Sequence, residues 1–440
     1  MLLRPKADDI FRPIGSLQGE HSRLFAGRGG VIDSILESLE LSGTVPVIFG
    51  ERGIGKSSVA WRVFDILRQK DVNQEYGDVA SRFALDDNYI ALWVECGDWF
   101  AEIESAVLAI LMPKGLRQAV TMLDLFPDFL STEDKAKATA SFELNLAIFK
   151  AKTSLSTEEG RDLVTKAFRN ATQTALADPI EMFSQVCGRL QDRFSNSTII
   201  IFIDEFDRLP DTTLVGSVLK TFTGTWFVIT GVADTAEKLI GSHPSVGRKI
   251  FSIRIPPFDH TEASEIFEKA SDIAKSYQGS HGISFSQKLI DQIFDDTGGY
   301  PNLIQKVGFN TIQPDRLHAK MFDEHIKIGI KNYKPALRAM FKASNKKGGA
   351  EDEVENRLME VIGDSNRRSA ILKVFVGFGT KWVGLGELIS RLDQDDQKQL
   401  NRNLKMFVEG GIIERGCDEE YRFINPIYLM ASRLYLESKI

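Results

Sequence analysis

The stretch from Val47 to Phe64 reads VIFGERGIGKSSVAWRVF. Three apolar residues, Val47, Ile48 and Phe49, lead into a turn holding Gly50, Gly53 and Gly55. Beyond it runs a segment with Val59, Val63, Phe64 and Ile66 at helical spacing. Gly50 to Ser57 satisfies GxxxxGK[ST] at every fixed position, between an expected short buried strand (VPVIF) and an expected helix. Glycines let backbone N–H groups turn inward onto phosphate oxygens, and the helix N-terminus adds the positive end of its dipole. The expected phosphate cradle is therefore Gly50, Glu51, Arg52, Gly53, Ile54, Gly55, Lys56, Ser57 and Ser58. Lys56 would reach the β- and γ-phosphates of ATP, and the Ser57 hydroxyl would ligand Mg²⁺.

A second stretch, STIIIFIDEFDRLPD (Ser197–Asp211), supports the same reading. Ile199 to Ile203 is apolar without alternation, as in a central parallel strand buried on both faces. Its C-terminal end, where open α/β sheets bind ligands, carries Asp204 and Glu205. Asp204 is placed to hold the hydration shell of Mg²⁺. Glu205 is placed to orient or deprotonate an attacking water. Asp207 reads as a turn or capping residue.

The chain has 440 residues, more than one ordinary domain, so two or three are expected. Its hydrophobic fraction of 43% supports a real core, and its net charge of −7 excludes whole-surface attraction to nucleic acid. A local basic patch remains compatible with that total. Cys96, Cys187 and Cys417 are scattered without CxxC spacing, which fits a reducing compartment and speaks against structural zinc. No apolar run approaches the roughly 20 residues of a membrane span, so a cytoplasmic protein is expected. There is no Ser/His/Asp constellation, no metal-ligand spacing and no internal repeat.

The order of these two motifs with TWFVITGVAD, HPSVGRKIFSIRIPPFDHTEASEIF and TGGYPNLIQ resembles the AAA+ ATPases. The resemblance is closest to the origin-recognition-like and prokaryotic signalling (STAND-like) branches, and spans roughly residues 20 to 315. Upstream, LFAGRGGVIDSILESL is similar to the entry box of that family at Gly27 and Arg28, with Gly29 and Gly30 where acidic residues usually stand. The resemblance implies a parallel five-stranded sheet of order 5-1-4-3-2. It also implies a sensor role near the γ-phosphate for Thr230, which reads equally as a β-branched residue finishing a strand. Arg248 would be an arginine finger reaching a neighbouring subunit's nucleotide, with a solvated surface arginine as the alternative. Tyr300 and Pro301 would belong to the GxP element of the signalling branch, near the adenine. A lid arginine is missing, and Lys306 is a poor substitute for a planar guanidinium.

The expected organisation is α/β: an AAA+ core over 1–258, with its entry box at 20–40 and an insert at about 113–180. A helical lid over 259–345, a linker and helix over 346–364 and a winged helix-turn-helix over 365–440 complete it. Within the insert region, SFELNLAIFKAKTSL (141–155) alternates as a hairpin would, framed by helical runs at 100–112, 116–129 and 178–194. Residues 316–347 are basic, and spacings of four and seven would put several of them on one helix face, either tracking phosphates or simply solvated. In the last unit, three helices and a two-strand wing are expected. Lys398, Asn401, Arg402 and Lys405 lie on the face a DNA reader would insert in the major groove. The acidic wing tip GCDEEY argues against wing–phosphate contact, and a protein-interaction or autoinhibitory module is the alternative.

Together these readings describe an ATP-binding and ATP-hydrolysing switch. Its nucleotide state would control self-assembly and engagement of DNA or a partner protein, away from any membrane. An ATP-liganded DNA-binding regulator with negligible turnover, and an ATP-gated adaptor for a separate effector, are the alternatives.

Overall fold

The computed structural model describes residues 6–41, 43–67, 89–96, 198–209, 225–240, 249–313, 317–345 and 350–438. Contacts divide the chain into two compact units, Gly29–Arg52 with Lys56–Ile255, and Met1–Arg28 with Gly53–Gly55 and Pro256–Ile440. The expected insert hairpin, its framing helices and Arg248 lie outside the described residues.

The first unit is built on five strands: β1 (Val45–Gly50), β2 (Tyr89–Glu95), β3 (Thr198–Asp204), β4 (Thr225–Val232) and β5 (Ile250–Arg254). All neighbours are parallel, in the order β2-β3-β4-β1-β5, which is the expected 5-1-4-3-2. Ile199 to Ile203 are fully buried because β3 lies inside the sheet, between β2 and β4. Pro46 is tolerated in the central strand β1 because pairing with β4 begins only at Val47. Helices α1 (Gly29–Glu40) and α2 (Lys56–Leu67) bury Ile32, Ile35 and Leu36, and Val59, Val63 and Phe64. Trp93 of β2 stacks on Phe202 at 5.6 Å and meets Phe64 edge-on, which joins α2 to the sheet. A single 3₁₀ turn, Phe206–Arg208, comes after β3, and a short α3 (Ala236–Ile240) after β4.

The first α-helix of the second unit is α4 (His260–Ser276). A reciprocal box starts that helix: Glu262 N–H donates to Asp259 Oδ1 (2.8 Å) while Glu262 Oε2 accepts from Asp259 N–H (3.1 Å). After β6 (Ile283–Phe285) come α5 (Gln287–Thr297), α6 (Pro301–Ile312) and α7 (Leu317–Lys320), then β7 (Ile326–Ile328), parallel to β6, and α8 (Tyr333–Asn345). Next are α9 (Ala350–Ile362), α10 (Asn366–Phe378), β8 (Val383–Gly384), α11 (Leu385–Ser390), α12 (Gln394–Gln397) and α13 (Leu400–Glu409). The chain ends with β9 (Ile413–Arg415), β10 (Glu420–Phe423) and α14 (Pro426–Ser438). The described residues from Lys6 to Gly27, grouped with the core by the sequence reading, fall in this unit. Phe11 meets Phe267 and Phe285 edge-on at 5.7 and 5.6 Å, in space left by Gly308.

Three further sequence expectations are corrected by the structure. The basic run 316–347 is not one helix, because Ile326 and Ile328 alternate into a strand and Gly329 breaks the chain ahead of α8. On α8, Lys334 and Arg338 are exposed, and Lys334 pairs with Glu437 at 2.7 Å. The C-terminal sheet has three strands rather than two, since β8 pairs antiparallel with β10 beside β9. The closing helix α14 and the four-residue α12 add to a region expected to hold three helices, which are α10, α11 and α13. Among the described residues no helix is long and apolar enough to cross a membrane.

Candidate functional site

In the first unit the two motif strands end at the C-terminal edge of the sheet. Gly50 closes β1 at φ 148°, a value that an L side chain rarely adopts, and α2 begins at Lys56. Lys56 is 8% exposed, and its Nζ donates to the carbonyls of Gly50 (3.1 Å) and Glu51 (2.8 Å). Burial lowers its pKa, while the facing Asp207 and Asp204 pull it back up. The lysine is thus held inside its own glycine turn, with two carboxylates opposing the effect of its burial.

Asp204 is 3% exposed and its Oδ1 collects three donors. These are Ser57 Oγ at 2.9 Å, Glu205 N–H at 2.9 Å and the Thr230 hydroxyl. Burial raises its pKa, and the Thr230 and Ser57 hydrogen bonds oppose that rise. Thr230 is itself buried, so its hydroxyl is committed to Asp204. Ser57 and Asp204 together offer a hydroxyl and a carboxylate, the hard oxygen donors that suit Mg²⁺, an ion that keeps much of its water shell. The residues present fit that ion.

Glu205 adopts a left-handed conformation at φ 54°, uncommon for a side chain of this size. Its side chain is 34% exposed and paired with Arg208 at 2.9 Å. Partial burial raises its pKa, and Arg208 is the first influence lowering it. Asp207 accepts from Val232 N–H at 2.7 Å, so it ties the turn after β3 to the end of β4. A side chain on Gly231 would collide with Asp207 and Leu239. Cys96, which carries no sequence signal for this site, donates its N–H to Asp204 O at 2.8 Å. Burial and then the neighbouring carboxylates push its thiol up to about 12, leaving it an unreactive wall. Arg52 is exposed, Ile54 is buried and Ser58 is half-buried.

The second unit holds the rest of the glycine turn. Gly53 and Gly55 have φ of 81° and 97°, and Gly53 O accepts from Asn302 N–H at 3.3 Å. Tyr300 caps α6 with its backbone, and Pro301 occupies the first helical turn. Phe258 N–H donates to Gly299 O at 2.8 Å, which ties this turn to the segment ahead of α4. Arg28, 3% exposed, lies over the Phe258 ring at 4.2 Å and donates Nη2 to Pro256 O at 2.6 Å. Glu265 accepts from Gly27 N–H and Glu262 from Arg28 N–H, both at 2.8 Å. Carboxylates that the entry box lacks in sequence thus arrive from α4.

Along α13, Asn401, Arg402 and Lys405 are exposed, as is Lys398 just before it. Lys398 pairs with Asp395 at 2.6 Å and Lys405 with Glu409 at 3.6 Å. Asp418 and Glu419 at the turn between β9 and β10, and Glu420 at the start of β10, are also exposed.

The deciding feature is a strand order of 5-1-4-3-2 in which β1 feeds the glycine turn and β3 ends in Asp204 and Glu205. This is a P-loop α/β fold, in the sheet order that the AAA+ resemblance implies. No family model matches the sequence, and no curated protein does. Among solved structures the chain is similar to the ORC2 protein of Aeropyrum pernix in ADPNP–ADP complexes, at 13% identity and TM-score 0.49, covering 100% of this chain and 99% of that one. It is similar to the Walker-type ATPase Paby2304 of Pyrococcus abyssi at 14% identity and TM-score 0.45, over 96% and 99% of the two chains. Likeness to Cdc6p from Pyrobaculum aerophilum stands at 13% identity and TM-score 0.40, over 98% of each.

Proposed function

We propose that this chain is an ATP-binding and ATP-hydrolysing AAA+ switch of the origin-recognition-like or STAND-like branch. Its nucleotide state controls self-assembly and engagement of DNA or a partner protein, in the cytoplasm. The observation that carries the reading is the Ser57–Asp204 hydrogen bond, with Lys56 held in the glycine turn and Glu205 next to Asp204 in the chain. Lys56 and the loop N–H groups bind the phosphates, and Ser57 and Asp204 hold Mg²⁺ or its waters. When bound, Mg²⁺ neutralises charge on the β- and γ-phosphate oxygens. Glu205 accepts the proton of the attacking water, a role its raised pKa suits because a stronger base takes that proton more readily. Thr230 holds Asp204 at the correct angle, and Tyr300 and Pro301 contribute to the nucleotide-binding turn.

A winged helix over 365–440 is the proposed output module. Exposed Asn401, Arg402 and Lys405 on α13 favour DNA. The acidic stretch from Asp418 to Glu420 favours a protein, so that second reading stays in play. Steady-state ATP hydrolysis with and without duplex DNA, beside Glu205→Gln, separates them. DNA-stimulated turnover abolished by the variant supports a DNA-engaging switch. Turnover indifferent to DNA transfers the module to a protein partner. Tight binding without turnover overturns the hydrolase reading.

A further inference from the structure

Asp296, the penultimate residue of α5, is 0% exposed in its side chain. A buried carboxylate is costly unless it is paired and hydrogen-bonded. Here Arg433 of α14 approaches its Oδ1 at 2.8 Å, and the Tyr333 hydroxyl of α8 donates to its Oδ2. Burial raises the Asp296 pKa, with Arg433 the first influence opposing it. Three helices therefore meet at one ionic joint, and the last helix of the C-terminal region is one of them.

The joint sits directly ahead of the turn that leads into α6. Thr297 ends α5, Gly298 caps it at φ 57°, and Gly299 turns at φ 76° into Tyr300, Pro301 and Asn302. Asn302 N–H bonds Gly53 O in the phosphate loop. Gly298 also leaves room for Thr380, from the loop after α10, whose methyl would lie 2.9 Å from any added Cβ. The turn carrying Tyr300 and Pro301 is thus gripped on one side by the C-terminal region and on the other touches the glycine turn.

We propose that the Arg433–Asp296–Tyr333 joint sets the position of the Thr297–Asn302 turn against Gly53, which makes Arg433 a positioning residue for nucleotide binding. The C-terminal helix would then report on, and act on, the nucleotide turn without touching nucleotide. This rests on the reading of the glycine turn as a phosphate loop.

The test compares wild type, Arg433→Met, Asp296→Asn with Arg433→Met, and Tyr333→Phe. Two readouts are needed: affinity for a fluorescent ATP analogue with Mg²⁺, and hydrogen exchange of amides 297–303. Arg433→Met strands a buried carboxylate, so it can lose stability globally. The double variant removes that charge and keeps an acceptor for Tyr333, so its overall melting stays near wild type. The expected result is faster exchange confined to 297–303 and a dissociation constant raised about five- to thirtyfold in the double variant, the effect of one to two kcal/mol. Lys334→Ala, which breaks an exposed ion pair between the same helices α8 and α14, should change neither. Exchange and affinity both at wild-type levels in the double variant and in Tyr333→Phe would overturn the proposal. A wild type that fails to bind nucleotide would instead sink the phosphate-loop reading. Exchange at 297–303 would still decide whether the joint holds the turn.

Discussion

Ser57 and Asp204, 147 residues apart in the chain, are joined by a 2.9 Å hydrogen bond from Oγ to Oδ1. The bond links the first turn of α2 to the end of β3, so two motifs become one oxygen-donor pair. Ser57→Ala should raise the Mg²⁺ concentration needed for nucleotide binding by about 10- to 100-fold, as loss of metal-supporting groups does elsewhere. Asp204→Asn keeps the acceptor for Ser57 and Thr230 but removes the charge, and should abolish Mg²⁺ dependence. A magnesium titration of nucleotide binding checks both. Unchanged half-saturation in either variant refutes the donor-pair assignment.

Glu205 predicts a pH profile. A general base works only when deprotonated, so kcat should fall as pH drops through its folded pKa. That pKa lies above the ordinary glutamate value because of partial burial, and Arg208 restrains the rise. Arg208→Ala should therefore move the acid limb of the kcat profile upward, towards neutrality. Glu205→Gln should lower kcat by about 10²- to 10⁴-fold with nucleotide affinity preserved. A limb that moves downward in Arg208→Ala would show that another group titrates.

Arg402 and Lys405 on α13 predict a salt-dependent contact. Each is exposed, and Lys405 makes a 3.6 Å surface pair with Glu409. If the module binds duplex DNA, Lys405→Ala should lower affinity across sequences and reduce the salt slope by about one. Arg402→Ala should relax sequence preference as well, at about 1–3 kcal/mol if it reads a guanine. Fluorescence anisotropy at several salt concentrations measures both. Binding that ignores both substitutions leaves the acidic turn and a protein partner as the better account.

Arg248 lies outside the described residues, so its prediction rests on the sequence alone. An arginine finger contributes about 10³- to 10⁵-fold in kcat and acts on a neighbouring subunit's nucleotide. Arg248→Ala should lose hydrolysis by at least about 10³-fold while still binding nucleotide. Mixing it with Lys56→Ala should restore part of the activity, because each variant supplies what the other lacks. If Arg248→Ala hydrolyses and assembles like wild type, it is a surface arginine.

Much of the core is legible in the sequence for clear physical reasons. Ile199 to Ile203 can be read because a strand flanked on both sides cannot alternate, and the glycine turn because the GxxxxGK[ST] pattern fixes Gly50, Gly55, Lys56 and Ser57 at set spacing. Asp207 reads correctly as a turn residue, although its bond to Val232 N–H has no sequence signal. The carboxylates of Glu262 and Glu265 are hidden, since Glu262 reaches Arg28 N–H across 234 residues. Strand β7 is masked by a count of basic residues, where the alternation of Ile326, Lys327 and Ile328 is the better signal. Helix α14 escapes because the three expected helices all precede the wing, whereas Pro426 suits the first turn of a helix beyond it. Arg433, which that helix carries, is lost with it.

Gly299 supplies the last prediction. Its φ of 76° already disfavours any L side chain, and an added Cβ would come within 2.2 Å of Phe258 O. That oxygen is backbone, so it cannot swing aside as the end of a long side chain can. Phe258 N–H also donates to Gly299 O, which fixes the two stretches of chain together. Gly299→Ala must therefore either unfold the turn or push the segment ahead of α4 away from it. The left-handed conformation alone costs about 1–2 kcal/mol, with the collision added. Neighbouring Gly298 makes a useful contrast, because its obstacle is the Thr380 side chain, which can rotate. Gly299→Ala should melt several degrees below Gly298→Ala and bind nucleotide more weakly, while Gly298→Ala combined with Thr380→Ser recovers part of its loss. Equal melting temperatures for the two alanine variants would mean that the backbone collision at Gly299 is relieved by a movement of Phe258.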